Sequence, residues 1–213
     1  RQDRLLLARR QGAEIIDFNQ DDPVAIVLAL TDGIGVDKAI DAVGVDAEGA
    51  SPEDARAFAG EVRAVAPERA PKGAQWKPGD APSRVLRWAV AALAKAGTLS
   101  IIGVYPPAAT SFPIGEAMNK NLRLRMGNCN HRKYIPRLLE LVRTGAFDPA
   151  GILTQEQTLP DAVDAYHAFD LRKPDWTKVA LKIVGGGHSS AGGQPLDRAL
   201  EDTFPASDAV AKM

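Results

Sequence analysis

One cysteine, three histidines and an aromatic content of 6% in 213 residues set the first limits. A single thiol, Cys129, excludes an internal disulfide framework and a four-cysteine metal site, and it fits a reducing compartment. Neither sign of charge dominates. The 26 lysines and arginines are matched by 27 acids, a net charge of -1, so no basic field gathers nucleic acid or an anionic membrane. No apolar run approaches the ~20 residues that span a bilayer. The opening Arg1-Gln2-Asp3-Arg4 leads into no apolar signal core. These absences point to a cytoplasmic chain with neither nucleic-acid nor membrane partners. Also missing is the dinucleotide fingerprint GxGxxG, which must follow a strand and open a helix. Asp32-Gly33-Ile34-Gly35 falls between a helical and a strand pattern, and Gly185-Gly186-Gly187 opens a glycine-serine tract.

What is present is enough for a full core, with 45% hydrophobic residues. The chain starts in a helical pattern at Leu5 and Leu6 and stops at Gly12, so it reads as beginning inside a domain. A strand is expected at Ala13 to Phe18. Asp22-Pro23 is a helix start, with a capping acid before a proline at the first helical position, and the helix should run to about Gly33. Val36 to Val43 is a largely apolar strand closing on Gly44, as suits an inner parallel strand. Residues 45 to 82 are rich in Ala, Glu, Pro and Gly and read as a surface insertion with a helix near Pro52 to Val65.

Helical periodicity returns from Pro82 to Ala96, ended by Gly97, and a strand is expected over Thr98 to Val104. Asn121 to Gly127 alternates as a strand with one solvated or interface face. Tyr134 to Val142 is an amphipathic helix and Ile152 to Leu159 a strand. Pro160 to Leu171 is a helix with Ala162, Val163, Tyr166 and Phe169 inward, and Val179 to Val184 is a last strand. Residues 185–195 form a flexible linker by composition, and 196–213 a short amphipathic tail. Alternating strands and helices through residues 1–184 give an α/β fold with a mostly parallel sheet and helices on both faces.

The succession RLLLARRQGAEIIDFN, DGIGVDKAIDAVG, AGTLSIIGVYPP and YIPRLLELVRTGAFDP resembles the coenzyme domain of the zinc-containing medium-chain alcohol dehydrogenases. The long insertion after DAVG and the tract NCNHRKYIP look most like the glutathione-independent formaldehyde dehydrogenase branch. The resemblance covers about residues 1–184. It implies an incomplete Rossmann-type sheet, followed by strands that return to the family's catalytic domain. It also implies hydride transfer between a small alcohol or aldehyde and NAD or NADP, in an enzyme expected to be a homo-oligomer.

Carried over by position, Arg4 corresponds to a basic residue near the adenosine ribose. Ala42, Val43 and Gly44 correspond to the turn that passes the adenosine. Ile102, Gly103 and Val104 correspond to the turn at the nicotinamide end, and Leu124, Arg125 and Met126 to the strand whose backbone meets the carboxamide. Lys178 stands where the family often has an arginine for the pyrophosphate, and it supplies the charge without the bidentate fork. The acid that selects between NAD and NADP falls immediately upstream of Arg1. Strand ends bring backbone groups to a crevice, and Gly44 and Gly103 permit close approach.

No catalytic residue is identified. The family's zinc ligands belong to a catalytic domain that this sequence does not contain, and Cys129, Asn130 and His131 supply too few donors for a tetrahedral ion. His167 reads as a packed or surface residue, and His188 as part of the linker. The expectation is therefore a part of a dehydrogenase, inactive alone, that contributes a cofactor wall. The alternative is a non-catalytic remnant serving as an association or scaffold module, since a sheet lacking its middle strands exposes edges.

Overall fold

The computed structural model describes residues 1–49, 51–66 and 78–183. The expected linker and tail, and residues 67–77 of the insertion, lie outside these. Helix α1 (Gln2–Arg10) ends before Gly12, whose φ of +85° is the left-handed conformation that glycine tolerates. Helix α2 (Pro23–Leu30) starts as its sequence dictates, with the Asp22 carboxylate accepting from the amides of Val24 and Ala25. Strand β1 (Val36–Asp41) follows. The insertion holds α3 (Pro52–Ala57) and α4 (Ala59–Val65), two short helices where one was expected.

Helix α5 (Arg84–Ala92) runs directly into β2 (Leu93–Ile101). Helix α6 (Ile114–Asn119), β3 (Arg123–Met126) and α7 (His131–Arg143) come next, the last capped by the Asn130 side chain on the Lys133 amide. Strand β4 (Gln155–Thr158), α8 (Ala162–Asp170) and β5 (Val179–Lys182) complete the described chain. The strands form two parallel sheets, one in the order β1-β2-β3 and one pairing β4 with β5. An α/β architecture is thus established.

Several expectations are corrected. Ala13 to Phe18 is not a strand. Its composition suits one, but a strand exists only through ladder partners, and β1 is the edge of the described sheet on that side. The helix before β2 stops at Ala92 rather than Gly97, and the strand spans Leu93–Ile101 rather than Thr98–Val104. The register with β1 shifts between Val36 and Lys38, and Ala96 takes a φ of +62°.

The cause of the early stop is Lys120, whose ammonium donates to the carbonyls of Val90, Ala91 and Leu93 at 2.9, 2.8 and 3.2 Å and closes the helix end from outside. In α8, Val163, Tyr166 and Phe169 are exposed, and the buried positions are Ala165 and Ala168. The helix rests on its small face, which lets its backbone approach closely, and leaves its large apolar residues outward.

The core of the larger sheet is built from Leu86 and Val90 of α5, Leu93, Leu99 and Ile101 of β2, and Ala117 of α6, flanked by Val36, Ala39, Tyr105, Phe112 and Leu122. Leu99 and Val90 are fully buried. The apolar stripe of α5 faces the sheet, so burial of that stripe fixes the helix over β1 and β2. The insertion is anchored at both ends rather than lying wholly on the surface. Val45, Ala47, Val65 and Ala81 are buried, and Gly79 and Ala81 donate to the carbonyls of Val45 and Ala47.

Candidate functional site at the carboxyl ends of the larger sheet

Parallel pairing brings the carboxyl ends of three strands to one edge, with Asp41 opposite Ile101 and Ile101 opposite Met126. The turns Ala42–Gly44 and Ile102–Val104 therefore emerge side by side, which is where α/β sheets present ligand crevices. They are joined through one side chain. Asp41 is fully buried at the end of β1. Its Oδ1 accepts from the amides of Val43 and Gly44 at 2.9 and 3.1 Å, and its Oδ2 accepts from the Tyr105 hydroxyl at 2.7 Å. Its backbone carbonyl accepts from Ile102 and Gly103, both at 2.9 Å, and Val45 donates across to Val104. Burial, then the bond to Asp41 and the proximity of its charge, push the Tyr105 phenol well above its ordinary range.

The two glycines serve this junction. A Cβ on Gly103 would lie 2.3 Å from the Gly44 nitrogen, and one on Gly44, whose φ is +70°, would lie 2.5 Å from the Val104 nitrogen. The close approach they permit is of one turn to the other. Because the amides of Val43, Gly44, Ile102 and Gly103 are bonded within the protein, the turns meet a ligand through other groups. Carbonyl oxygens and the exposed side chains of Val43, Ile102, Val104 and Met126 are what they offer. Such a surface suits the faces of flat rings and the N–H groups of an amide. It does not suit a pyrophosphate, which needs clustered donors.

The other expected site residues lie elsewhere. Leu124 and Arg125 are exposed along β3. Arg4 is exposed on α1, and Lys178 is exposed immediately before β5, where it lines the pocket formed with Ala165, Tyr166, Phe169 and Leu181. At the start of α1, Asp3 pairs with Arg1 at 3.6 Å. Partial desolvation of its carboxyl is outweighed by the amides of Arg4 and Asp175 and by the Arg1 charge, which together hold it below its usual value. Arg172, unremarked in the sequence, reaches Asp46 at 3.7 Å and Glu48 at 3.6 Å, so the end of α8 contacts the chain just after the Gly44 turn. Among the described residues no three His, Cys, Asp or Glu side chains gather as metal ligands. No described helix is long and apolar enough to cross a membrane.

Asp41 and Tyr105 escaped the sequence reading, although an acid closing an otherwise apolar strand in Ala39-Ile40-Asp41 was the available signal. No protein-family model matches the chain. It is 31% identical over 180 residues to the zinc-type alcohol dehydrogenase-like protein AdhB of Bacillus subtilis, covering 84% of this chain and 43% of that one. The chain is homologous to part of a zinc-type, medium-chain alcohol dehydrogenase.

An alcohol dehydrogenase of Cupriavidus necator is 29% identical over 185 residues, with 84% of this chain and 40% of its own length covered. The chain therefore spans about two fifths of the length of these relatives. Among solved structures, alcohol dehydrogenase TADH from Thermus sp. ATN1 superposes with a TM-score of 0.62 at 24% identity, covering 84% of this chain and 42% of its own. Benzyl alcohol dehydrogenase from Acinetobacter calcoaceticus gives 0.59 at 23%, covering 86% and 41%. These two likenesses establish the shared fold.

Proposed function

We propose that this chain forms one wall of the nicotinamide-dinucleotide cleft of an alcohol or formaldehyde dehydrogenase. The observation that carries the reading is the junction of the Ala42–Gly44 and Ile102–Val104 turns at the carboxyl edge of the sheet, locked by Asp41 and Tyr105. A bound nicotinamide dinucleotide, NAD or NADP, supplies the hydride-transfer chemistry. The chain's own part is to hold two apolar turns at fixed separation, so that ring faces lie against Val43, Ile102 and Val104 while carbonyls orient the amide. A lock made of buried hydrogen bonds suits that task, since a cofactor displaced by an ångström loses its near-attack geometry.

The residues do not fit a zinc ion, because the described part of the chain gathers no donor triad. Any zinc-dependent step on the small alcohol or aldehyde lies with residues outside it, and the chain alone is expected to be inactive. The insertion after Gly44 supports the formaldehyde dehydrogenase branch. Arg4 and Lys178 are the candidates for phosphate contacts, and the compartment is the cytoplasm.

Titration of the chain with NADH and NADPH, following nicotinamide fluorescence, tests this reading. Saturable binding weakened by Asp41→Ala supports it, and no binding at millimolar cofactor defeats it.

A second reading rests on a different observation. The outer edge of β1 pairs with no described strand, and α7 buries none of its residues while Tyr134, Leu138 and Val142 face outward. Such surfaces favour association, so the chain would act as an oligomerising module, with a size measurement as its test.

A further inference from the structure

The smaller sheet carries a groove that the two turns do not use. Ala165, Tyr166 and Phe169 of α8, with Lys178, Val179 and Leu181 at β5, line an open cavity of about 190 Å³. Asp41, Tyr105, Met126 and the residues of both turns take no part in it. Ala165 is buried, whereas Tyr166 is 73% exposed and Phe169 44%. Two large rings left in water beside a concave surface mark a place of contact. Lys178 is the one charged residue of the lining.

Residues 184–213 follow the last described residue and leave directly from the end of β5, one wall of the groove. Their sequence holds a single aromatic residue, Phe204. Two acids, Glu201 and Asp202, stand just before it, and Leu196 and Leu200 precede it at four-residue spacing.

We propose that residues 195–204 of the chain itself occupy this groove, with the Phe204 ring against Tyr166 and Phe169 and the acids Glu201 and Asp202 beside the Lys178 ammonium. Size is the first argument. An apolar cavity of ~150 Å³ accepts benzene, so this one takes a single phenyl ring, and the segment offers one. Aromatic neighbours favour a ring over an aliphatic chain. Reach is the second argument. The glycine- and serine-rich residues 185–194 span about 17 Å as a coil, more than the ~13 Å length of β5. The segment can therefore return over the strand it leaves. Charge is the third. An exposed ion pair adds little affinity, so the acids orient the segment while Phe204 carries the binding. Tethering places the segment at a local concentration in the millimolar range, and a weak contact is then enough to fill the groove. Docking covers Lys178, the candidate phosphate contact, but requires no cofactor. Its test runs without one, and its failure is distinct from failure of the cofactor wall.

The test is amide-resolved NMR of the full isotopically labelled chain carrying a nitroxide attached through Ser207→Cys in a Cys129→Ser background, since the exposed Cys129 would otherwise take the label. The amide peaks of Ala165, Phe169, Val179 and Leu181 should be lost, and those of Val90 and Leu99 in the core of the larger sheet kept. Adding Phe204→Ala should restore the lost peaks. Tyr166→Ala, at an exposed position, should do the same from the other side of the contact. Either variant remains informative if the other fails to fold. Retention of all four peaks in the labelled chain would overturn the proposal, as would a loss that survives both Phe204→Ala and Tyr166→Ala. So would a loss that arises only between molecules, seen when spin-labelled chain is mixed with isotopically labelled chain lacking the nitroxide, which would assign the groove to a second copy.

Discussion

Replacing Asp41 by alanine removes the acceptor that joins the two turns, and the structure allows the cost to be worked out. Three donors lose their partner: the amides of Val43 and Gly44 and the hydroxyl of Tyr105. A buried donor left unmet costs about 1–3 kcal/mol. The Gly44 amide is buried and takes the full penalty. The other two are part-buried, so water offsets some of theirs. The sum is about 3–5 kcal/mol, and with a urea m-value near 2 kcal/mol/M the unfolding midpoint should fall by about 2 M.

Tyr105→Phe strands one carboxylate oxygen and should cost about 2 kcal/mol. Asp41→Asn keeps an acceptor and a donor in place and should fall between wild type and Asp41→Ala. Because Asp41 and Tyr105 share one bond, the double variant should cost less than the two singles together, by about 1–2 kcal/mol. Urea unfolding of the four proteins, followed by far-UV circular dichroism, measures this. Additive losses, or an Asp41→Ala loss below about 1 kcal/mol, would refute the idea that this carboxylate holds the turns.

Gly103→Ala should leave the protein insoluble or weakened by more than about 3 kcal/mol, since its Cβ would meet the Gly44 backbone at 2.3 Å. Gly115→Ala, in α6 with nothing within 4 Å of the added atom, should stabilise by up to about 1 kcal/mol, and thermal melts distinguish the two. Lys120→Met removes the ammonium that closes α5 and should cost about 2–3 kcal/mol, read by urea unfolding.

The raised phenol of Tyr105 makes stability pH-dependent at the alkaline end. Below the unfolded phenol pKa of about 10 both states are protonated and the contribution is complete. Above it the unfolded chain loses its proton first, so stability falls as pH rises further. Tyr105→Phe should flatten that alkaline limb in a pH series of melts.

The alternation of helices and strands was legible because a helix start such as that of α2 is written locally, whereas strand ends were not. Asp22-Pro23 begins α2 through short-range bonds that any reader of the chain can place, whereas α7, expected from Tyr134, starts at His131 behind the Asn130 cap. What was not legible depends on distant partners. Ala13 to Phe18 carries strand chemistry, yet its state is decided by whether a neighbour offers a ladder. The end of α5 is set by Lys120, nearly thirty residues on, and no pattern within the helix signals it. The face that α8 buries was misread because apolar periodicity there marks two faces, and packing chose the alanines.

At the candidate site, the turns were legible from their glycines and their place after strands. Why those glycines are needed was not. The contact that requires them is with each other, and the residue that joins the turns, Asp41, has its hydroxyl partner 64 positions away.

The most direct measurement of the proposed cofactor wall is amide-resolved NMR of the isotopically labelled chain titrated with NADH. The account predicts saturable shifts concentrated at Ala42–Gly44, Ile102–Val104 and Met126, with the amides around Glu61 and Val65 unmoved. Shifts scattered over the surface, or confined to residues away from the two turns, would contradict it.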